Sequence, residues 1–296
     1  MEALFVTGGS SILGQHVLRR LVSRVHVLAV EHKHTVEILD GEVETLHGGL
    51  EECFRHPAAL QTAQVVLHMA AVTHTDDASE YLRVNTELTK RLLSVCNPRQ
   101  HFVYLSTICA HPDGGAYGHS KWLAEEAIRA SGLEYTIIRP AEIYGSKNGQ
   151  GIDALIALAY KRHILPDFRC GGSIKYAPIS LDEAAQFIAD ATVQRRRSGQ
   201  TYTLRAERSW TAPEMARALR SSVRPLFAVP VPVLLLRAAA ALRLPVPFKR
   251  DQVDRLVLPK ASSNMAARRD YGFEARSFLD YLAARRNSMG RLASKP

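Results

Sequence analysis

The chain has 296 residues, of which 46% are hydrophobic and 23% charged, with a net charge of +9 at pH 7. That balance suits a soluble globule with a large core, one sizeable domain plus an elaboration rather than two equal units. The basic residues gather in the second half, in Arg195-Arg196-Arg197 and the Arg-rich stretch from 268 to 291, but no aromatics interleave with them as they do in a nucleic-acid surface.

Met1-Glu2 runs straight into an apolar segment without a charged leader, so no signal peptide is expected. The cysteines at 53, 96, 109 and 170 form no CxxC pair; they point to reduced thiols and a cytoplasmic protein, and away from a zinc site.

Taken in chain order, Leu4-Phe5-Val6 reads as a buried strand. Thr7-Gly8-Gly9-Ser10-Ser11-Ile12-Leu13-Gly14 turns it sharply into the amphipathic stretch Gln15 to Leu21. Glycines let the backbone approach an anion, and a helix starting there aims free N–H groups and its positive dipole end at a pyrophosphate. Val25 to Val30 is a second strand, ending at Glu31, 17 residues beyond Gly14. A dinucleotide fold places the acid for the adenosine ribose hydroxyls about there, and a carboxylate repels a 2′-phosphate. NAD is therefore expected, with NADP left open because Lys33 could reach a phosphate.

Val43 to Leu46 is a weaker third strand, followed by a helical stretch around Cys53 to Gln61; Val65 to Ala71 is a continuous apolar run suited to a strand covered on both faces. Tyr81 to Cys96 has helical period, with Asn85 facing inward as a polar interruption. His101 to Leu105 is a fifth strand ending in Ser106-Thr107, Tyr117 opens a helix to about Ala130, and Glu134 to Ile138 is a sixth strand. Strands alternating with helices predict βαβ units and a parallel sheet. Beyond Gly145, helices are expected over Ile152 to His163, from Ser180, where Ser180-Leu181-Asp182-Glu183 has a capping-box pattern, and after Thr211, where Thr211-Ala212-Pro213-Glu214 caps a third, with Tyr202 to Leu204 a short strand between them. The apolar stretch from Phe227 through Leu236, with prolines at 225, 230 and 232, is too interrupted to span a membrane and reads as a core or lid helix, or alternatively a membrane-surface one.

Tyr117 and Lys121 are four apart and share a helix face. An ammonium beside a phenol stabilises phenolate and brings the tyrosine toward working pH as a general acid or base. Thr107, ending the adjacent strand, can bond the same substrate oxygen.

The order TGGSSILG, HMAA at 68 to 71, VNTELTKRLL from 84, YLST at 104 to 107, YGHSK at 117 to 121, RPAEIYG at 139 to 145 and APISLDEAA from 177 resembles an extended short-chain dehydrogenase/reductase of the NAD-dependent epimerase/dehydratase group. The resemblance implies an α/β, Rossmann-type doubly wound parallel sheet with a smaller, mostly helical C-terminal substrate-binding region. Residues 1–170 would form the dinucleotide domain and 171–296 mainly the substrate region, interleaved with it. It implies an NAD(P)-dependent oxidoreductase or epimerase acting on a nucleotide-linked sugar, the alternatives being a dehydrogenase or reductase of a hydrophobic, steroid- or polyketide-like alcohol or ketone, or a non-catalytic dinucleotide-binding sensor or scaffold.

By the same resemblance Tyr117 is the acid/base, Lys121 its partner, Thr107 the substrate-orienting hydroxyl, and Asn85 a support for the site's backbone. Cofactor contacts fall on Gly8, Ser10, Ser11, Ile12, Leu13, Gly14, Glu31, Leu50, Ala70, Ala71, Tyr117, Lys121, Pro140 and Ile143; substrate contacts fall on Thr73, Thr107, Glu142 and Tyr144. No metal is expected. A homodimer is, through the helices of Asn85 and Tyr117, with Leu88, Leu92, Trp122 and Ile128 able to furnish its surface, although packing within one chain explains them equally well. The chain departs from the pattern at Ser11, where the family has a middle glycine; at Gly49-Leu50, where an acid usually precedes the apolar residue; and at His111. Ile108-Cys109 after Thr107 carry no carboxyl for elimination, which disfavours a dehydratase.

Overall fold

The computed structural model describes residues 2–32, 34–37, 43–55, 57–146, 151–220, 223–242, 250–258 and 262–282. Lys33 and the basic residues beyond 282 fall outside this set, so the readings placed on them are untouched. The chain divides into two compact units, residues 1–140, 181–204 and 258–273 forming the first and 141–180, 205–257 and 274–296 the second.

The first unit is built on a seven-stranded parallel sheet. Its strands are β1 (Ala3–Thr7), β2 (His26–Glu31), β3 (Val43–His47), β4 (Val65–His68), β5 (His101–Leu105), β6 (Glu134–Pro140) and β10 (Gln200–Leu204), in the order β10-β6-β5-β4-β1-β2-β3. Order reverses between β1 and β4, and open α/β sheets bind ligands at such a switch, beyond the strands' carboxyl ends. The register pairs Thr7 with His68 across it.

Period-two alternation assigns the two faces. Phe5, Val30, Val66, Phe102 and Ile137 join one buried cluster with Cys53 of α2 (Glu52–Arg55), Leu60 of α3 (Pro57–Thr62), Leu92 of α5 (Leu88–Val95) and Ile128 of α6 (Gly115–Ala130). On the other face α1 (Ile12–Leu21) brings Leu18 close to Ala29 and packs along α8 (Leu181–Gln194), where Arg24 Nη1 lies 2.9 Å from Asp190 Oδ1. The helix α12 (Met265–Tyr271) closes β10, with Tyr202, Phe187, Tyr271 and Phe273 meeting edge to face. Leu92 and Ile128 are thus core residues of one chain, the second of the two roles open to them, whereas Leu88 and Trp122 are half-buried.

One element in this unit departs from simple helical period. Between α4 (Ala78–Tyr81) and α5 the chain runs as a π-helix over Leu82–Glu87, so the segment read as a single helix widens for one turn around Asn85.

The second unit is less helical than its sequence suggests. The short strands β7 (Ile143–Tyr144) and β9 (Ile179–Ser180) pair in parallel, and so do β8 (Ile164–Arg169) and β11 (Phe227–Pro232). The apolar run from Phe227 is therefore a strand for six residues, and only then α10 (Val233–Ala241). Prolines 230 and 232 are compatible with a strand that has a single partner, where a proline need not donate to a second neighbour. With α7 (Gly151–Arg162), α9 (Ala212–Leu219) and α11 (Arg250–Leu256) these strands enclose a core of Ile152, Ile156, Leu165, Phe168, Trp210, Met215 and Phe278. The cap expected at Thr211 forms, and as a full capping box: Thr211 Oγ1 accepts from the Glu214 amide while Glu214 accepts from the Thr211 amide. Among the described residues no helix is long and apolar enough to cross a membrane.

Candidate active site

The glycine turn leaves β1 with Gly8 at φ +77°, a conformation that L side chains avoid. A Cβ there would stand 2.5 Å from the Ala70 amide nitrogen, so a bare Gly8 lets the turn lie against the end of β4. A Cβ on Gly14 would stand 2.3 Å from the Gly8 carbonyl oxygen, so the helix likewise needs glycine to seat on the turn. Ser11 is the N-cap of α1: its hydroxyl accepts from the Gly14 amide at 3.0 Å and donates to the Gly8 carbonyl at 2.9 Å. The hydroxyl standing where the family has glycine is thus spent on closing the turn. Ser11 and Ile12 are exposed, Ser10 and Leu13 half-buried, and the first turn of α1 carries no acid to cancel its dipole, which suits an anion.

Glu31 ends β2 almost fully buried, its carboxylate accepting from the Val36 amide at 2.6 Å and lying 2.8 Å from His47 Nδ1. Leu50 packs into the sheet's core and Gly49 precedes it without a carboxylate.

A buried chain of hydrogen bonds crosses the switch point. Thr89 Oγ1 donates to the Asn85 carbonyl, so it accepts from His68 Nε2 at 2.9 Å, which places the ring proton on Nε2. His68 Nδ1 then accepts from Thr7 Oγ1 at 2.6 Å, and Thr7 Oγ1 in turn accepts from the Ala70 amide. Burial drives the His68 pKa down to about 3, with Lys121 adding to it, so the ring is neutral. From the π turn, Asn85 accepts from the Val72 amide at 2.8 Å, donates to the Val72 carbonyl at 3.0 Å and donates to Ser120 Oγ, which donates to the Tyr117 carbonyl at 2.7 Å.

Tyr117 and Lys121 stand one turn apart on α6, both buried. The Tyr117 ring meets Tyr81 edge to face at 5.8 Å, and Lys121 Nζ lies 4.0 Å from the centre of the Tyr104 ring while donating to the Leu105 carbonyl at 2.6 Å. Burial lowers the Lys121 pKa to about 7, against the opposing pull of Glu125. Two residues beyond Leu105, Thr107 Oγ1 accepts from the Cys109 amide at 3.2 Å. The loop that follows leans on the start of α6: a Cβ on Gly118 would meet the Cys109 carbonyl oxygen at 2.3 Å, which explains a glycine directly after Tyr117.

The first unit therefore gathers the glycine turn, Glu31, Ala70, Ala71, Asn85, Thr107, Tyr117, Lys121 and Pro140 at the carboxyl ends of its strands. Thr73 is exposed, its hydroxyl 3.0 Å from His74 Nδ1. Glu142, Ile143 and Tyr144 belong to the second unit, where Glu142 accepts from the Ala177 amide and the Tyr144 ring lies 4.3 Å from that of Tyr281. Motif reading left out what lies beneath the site: the Thr7–His68–Thr89 chain, Ser120, and Glu125 with Arg139. Only the i+4 spacing of Glu125 from Lys121 offered a signal. No group of three or more metal-ligating side chains occurs among the described residues.

A parallel sheet whose order reverses at a glycine turn defines a Rossmann-type fold, here with Tyr and Lys on the helix after the fifth strand, as in the short-chain dehydrogenase/reductase class that the chain resembles. The model of the NAD dependent epimerase/dehydratase family matches residues 4–165, more than half of the chain, and the protein belongs to that family.

Among curated proteins it is 27% identical over 166 residues to the ceramide reductase of Caulobacter vibrioides, across 54% of this chain and 52% of that one. It is 24% identical to the decarboxylating sterol-4-alpha-carboxylate 3-dehydrogenase of Dictyostelium discoideum, across 60% and 63% respectively. The matches span about half to two thirds of the curated relatives' length. Among solved structures, MoeE5 in complex with UDP-glucuronic acid and NAD superposes with a TM-score of 0.74 at 18% identity, covering 98% of this chain and 99% of that one. DesIV, a dTDP-glucose 4,6-dehydratase from Streptomyces venezuelae with NAD and TYD bound, gives 0.74 at 19% identity over 96% of each chain.

Proposed function

We propose that the protein is an NAD-dependent oxidoreductase or epimerase of a nucleotide-diphosphate sugar, with Tyr117, Lys121 and Thr107 as its acid/base site. The observation that carries the chemistry is Lys121, buried one turn from Tyr117 with its pKa brought down to about 7. An ammonium held that close to neutrality favours phenolate at Tyr117 without being a permanently fixed charge. Thr107 orients a carbinol, Tyr117 takes its hydroxyl proton, and in the reverse direction returns it. Gly8, Ser10, Ser11, Leu13 and Gly14 would hold the pyrophosphate of NAD, Glu31 the adenosine ribose, and Ala70, Ala71, Lys121 and Pro140 the remainder. NAD, when bound, supplies the hydride acceptor.

The sugar half of the reading draws on relatives such as MoeE5, whose likeness runs along the whole chain and whose structure holds a UDP sugar. Thr73, Glu142, Ile143 and Tyr144 would serve substrate and nicotinamide. Ile108 and Cys109 after Thr107 supply no carboxyl for elimination, which argues for redox or epimerase chemistry over dehydration. A homodimer through the helices of Asn85 and Tyr117 would draw on Leu88 and Trp122.

UDP- and dTDP-sugars followed at the nicotinamide absorbance test the reading. Turnover is expected, with a loss of about 10²-fold or more in Tyr117→Phe; unchanged turnover in that variant overturns it. One observation favours a second reading. Leu234, Leu235 and Leu242 are 76%, 64% and 73% exposed along and just beyond α10, as a helix meeting apolar substrate or its carrier would be, and two curated relatives are named for ceramide and sterol. Turnover of a sphingoid or sterol ketone in mixed micelles, with none of any nucleotide sugar, would establish it instead.

A further inference from the structure

Glu125 lies one turn beyond Lys121 on α6 and is fully buried. A buried carboxylate is costly unless its oxygens are met by donors and countercharge. Here Oε1 accepts from Ser106 Oγ at 2.5 Å and from Arg139 Nε at 2.8 Å, and Oε2 accepts from Arg139 Nη2 at 2.5 Å and Arg129 Nη2 at 2.8 Å. Both arginines remain part-exposed, so the pair is anchored from outside while the carboxylate reaches inward.

Two of its donors, Ser106 and Arg139, come from the two strand ends that frame the site, and the third, Arg129, from α6 itself. Ser106 directly precedes Thr107, and its amide donates to the Ile138 carbonyl; the Ile108 amide donates to the Pro140 carbonyl, and Arg139 directly precedes Pro140. Lys121 Nζ donates to the Leu105 carbonyl just upstream. Thr107 is thereby held between two pinned residues, with Glu125 tying the exits of β5 and β6 to the helix that carries Tyr117 and Lys121.

We propose that Glu125 is the positioning residue of this site: its carboxylate fixes the Ser106–Thr107 exit of β5 and keeps the neighbouring Lys121 in its ammonium form. Among the described residues the groups facing Lys121 are few. His68 on β4 is neutral, Tyr104 on β5 offers a ring face, and Tyr117 shares the helix; Glu125 is the anionic group acting on it, in part neutralised by Arg139 and Arg129. Burial works against the ammonium and Glu125 works for it. Removing the carboxylate leaves burial unopposed, so Lys121 sheds its proton at lower pH, a neutral amine faces Tyr117, and phenolate forms only at higher pH.

The proposal rests on the assignment of Lys121 and Tyr117, but its test needs no substrate. Protein labelled with ¹³C at the lysine ε-carbons is titrated by NMR, the Lys121 signal being assigned by its loss in Lys121→Arg. In Glu125→Gln the Lys121 midpoint falls by about one pH unit or more. In Arg139→Gln, which strips countercharge from Glu125 and leaves the carboxylate, it rises. Opposite shifts in the two variants are the signature, since a merely structural loss has no reason to move them apart. An unchanged midpoint in folded Glu125→Gln overturns the proposal; if that variant does not fold, an unchanged or lowered midpoint in Arg139→Gln does so.

Once a substrate is in hand, alcohol oxidation by Glu125→Gln falls about tenfold at pH 7 and recovers toward alkaline pH. Ser106→Ala, which frees the strand exit but keeps the charge, lowers kcat without displacing the pH profile. Failure of Tyr117→Phe to affect turnover would sink the acid/base reading while leaving the lysine titration to judge Glu125 separately.

Discussion

Ser11 shows how one side chain changes its meaning once its hydrogen bonds are known. As a letter in a glycine motif it is a departure whose hydroxyl could either help or obstruct; as the N-cap of α1 it bonds both Gly8 and Gly14 and holds the turn in the form an anion requires. Ser11→Ala is therefore expected to cost about 1 kcal/mol of stability and Ser11→Gly only a few tenths, read from urea midpoints. NAD affinity by calorimetry should stay within about threefold in Ser11→Gly; a gain of tenfold or more would mean that the side chain obstructs the pyrophosphate. Gly14 is the opposite case. Its added methyl would collide with the Gly8 carbonyl oxygen at 2.3 Å, a backbone atom that no rotamer can relieve. Gly14→Ala should cost about 1–3 kcal/mol by overpacking and weaken NAD at least tenfold; unchanged affinity would place the dinucleotide elsewhere.

At the level of elements, the widened turn over Leu82–Glu87 buries a polar residue, Asn85, against the sheet's exit. Asn85 then grips the backbone of Val72 from both sides, replacing a strand partner for a segment that has just left the sheet. Asn85→Ala should increase amide exchange at Val72 by about tenfold or more while leaving the amides of β4 protected; equal protection at Val72 would show that the grip is dispensable. The inward polarity of Asn85 was legible in the sequence, but the π turn was not, because a one-turn change of pitch leaves no mark on a short hydrophobic repeat. The strands of the first unit were legible because parallel strands covered on both faces are nearly continuous apolar runs, as Val65 to Leu67 illustrates. Where pairing is confined to two strands the signal fails. The prolines of Phe227–Pro232 read as breaks in a helix, yet they sit in a strand with one neighbour. The groups beneath the site were illegible for another reason: Ser106, Glu125 and Arg139 lie on three separate elements, and only folding shows that they share one carboxylate.

Across the molecule, the same buried groups make stability depend on pH with a fixed sign. His68 has a pKa of about 3 in the folded chain and an ordinary value of 6.5 when unfolded. Below 6.5 the unfolded chain takes up a proton that the folded chain refuses, so the stability held above that pH is lost as pH falls toward 3. Lys121 acts in the same direction between its unfolded value of 10.5 and about 7, a loss already complete when that of His68 begins. The acids with depressed values, Glu214 and Asp270 at about 2, retain their stabilising charge until pH drops below the unfolded values of 4.5 and 3.8. The interval from pH 6.5 to 5 therefore belongs to histidines, His68 first, with His16 and His101 also lowered by burial. One refused proton corresponds to a slope of about 1.4 kcal/mol per pH unit. Urea unfolding of wild type at pH 6.3, 5.8 and 5.3 should show stability falling with acid. His68→Leu, although less stable at pH 7 because Thr7 and Thr89 lose their partner, should have a slope shallower by about one proton. An equal slope would mean that His68 already carries its proton in the folded chain. The ring could not then accept from Thr7 through Nδ1, and the directed chain joining the glycine turn to the Asn85 turn would be broken at its centre.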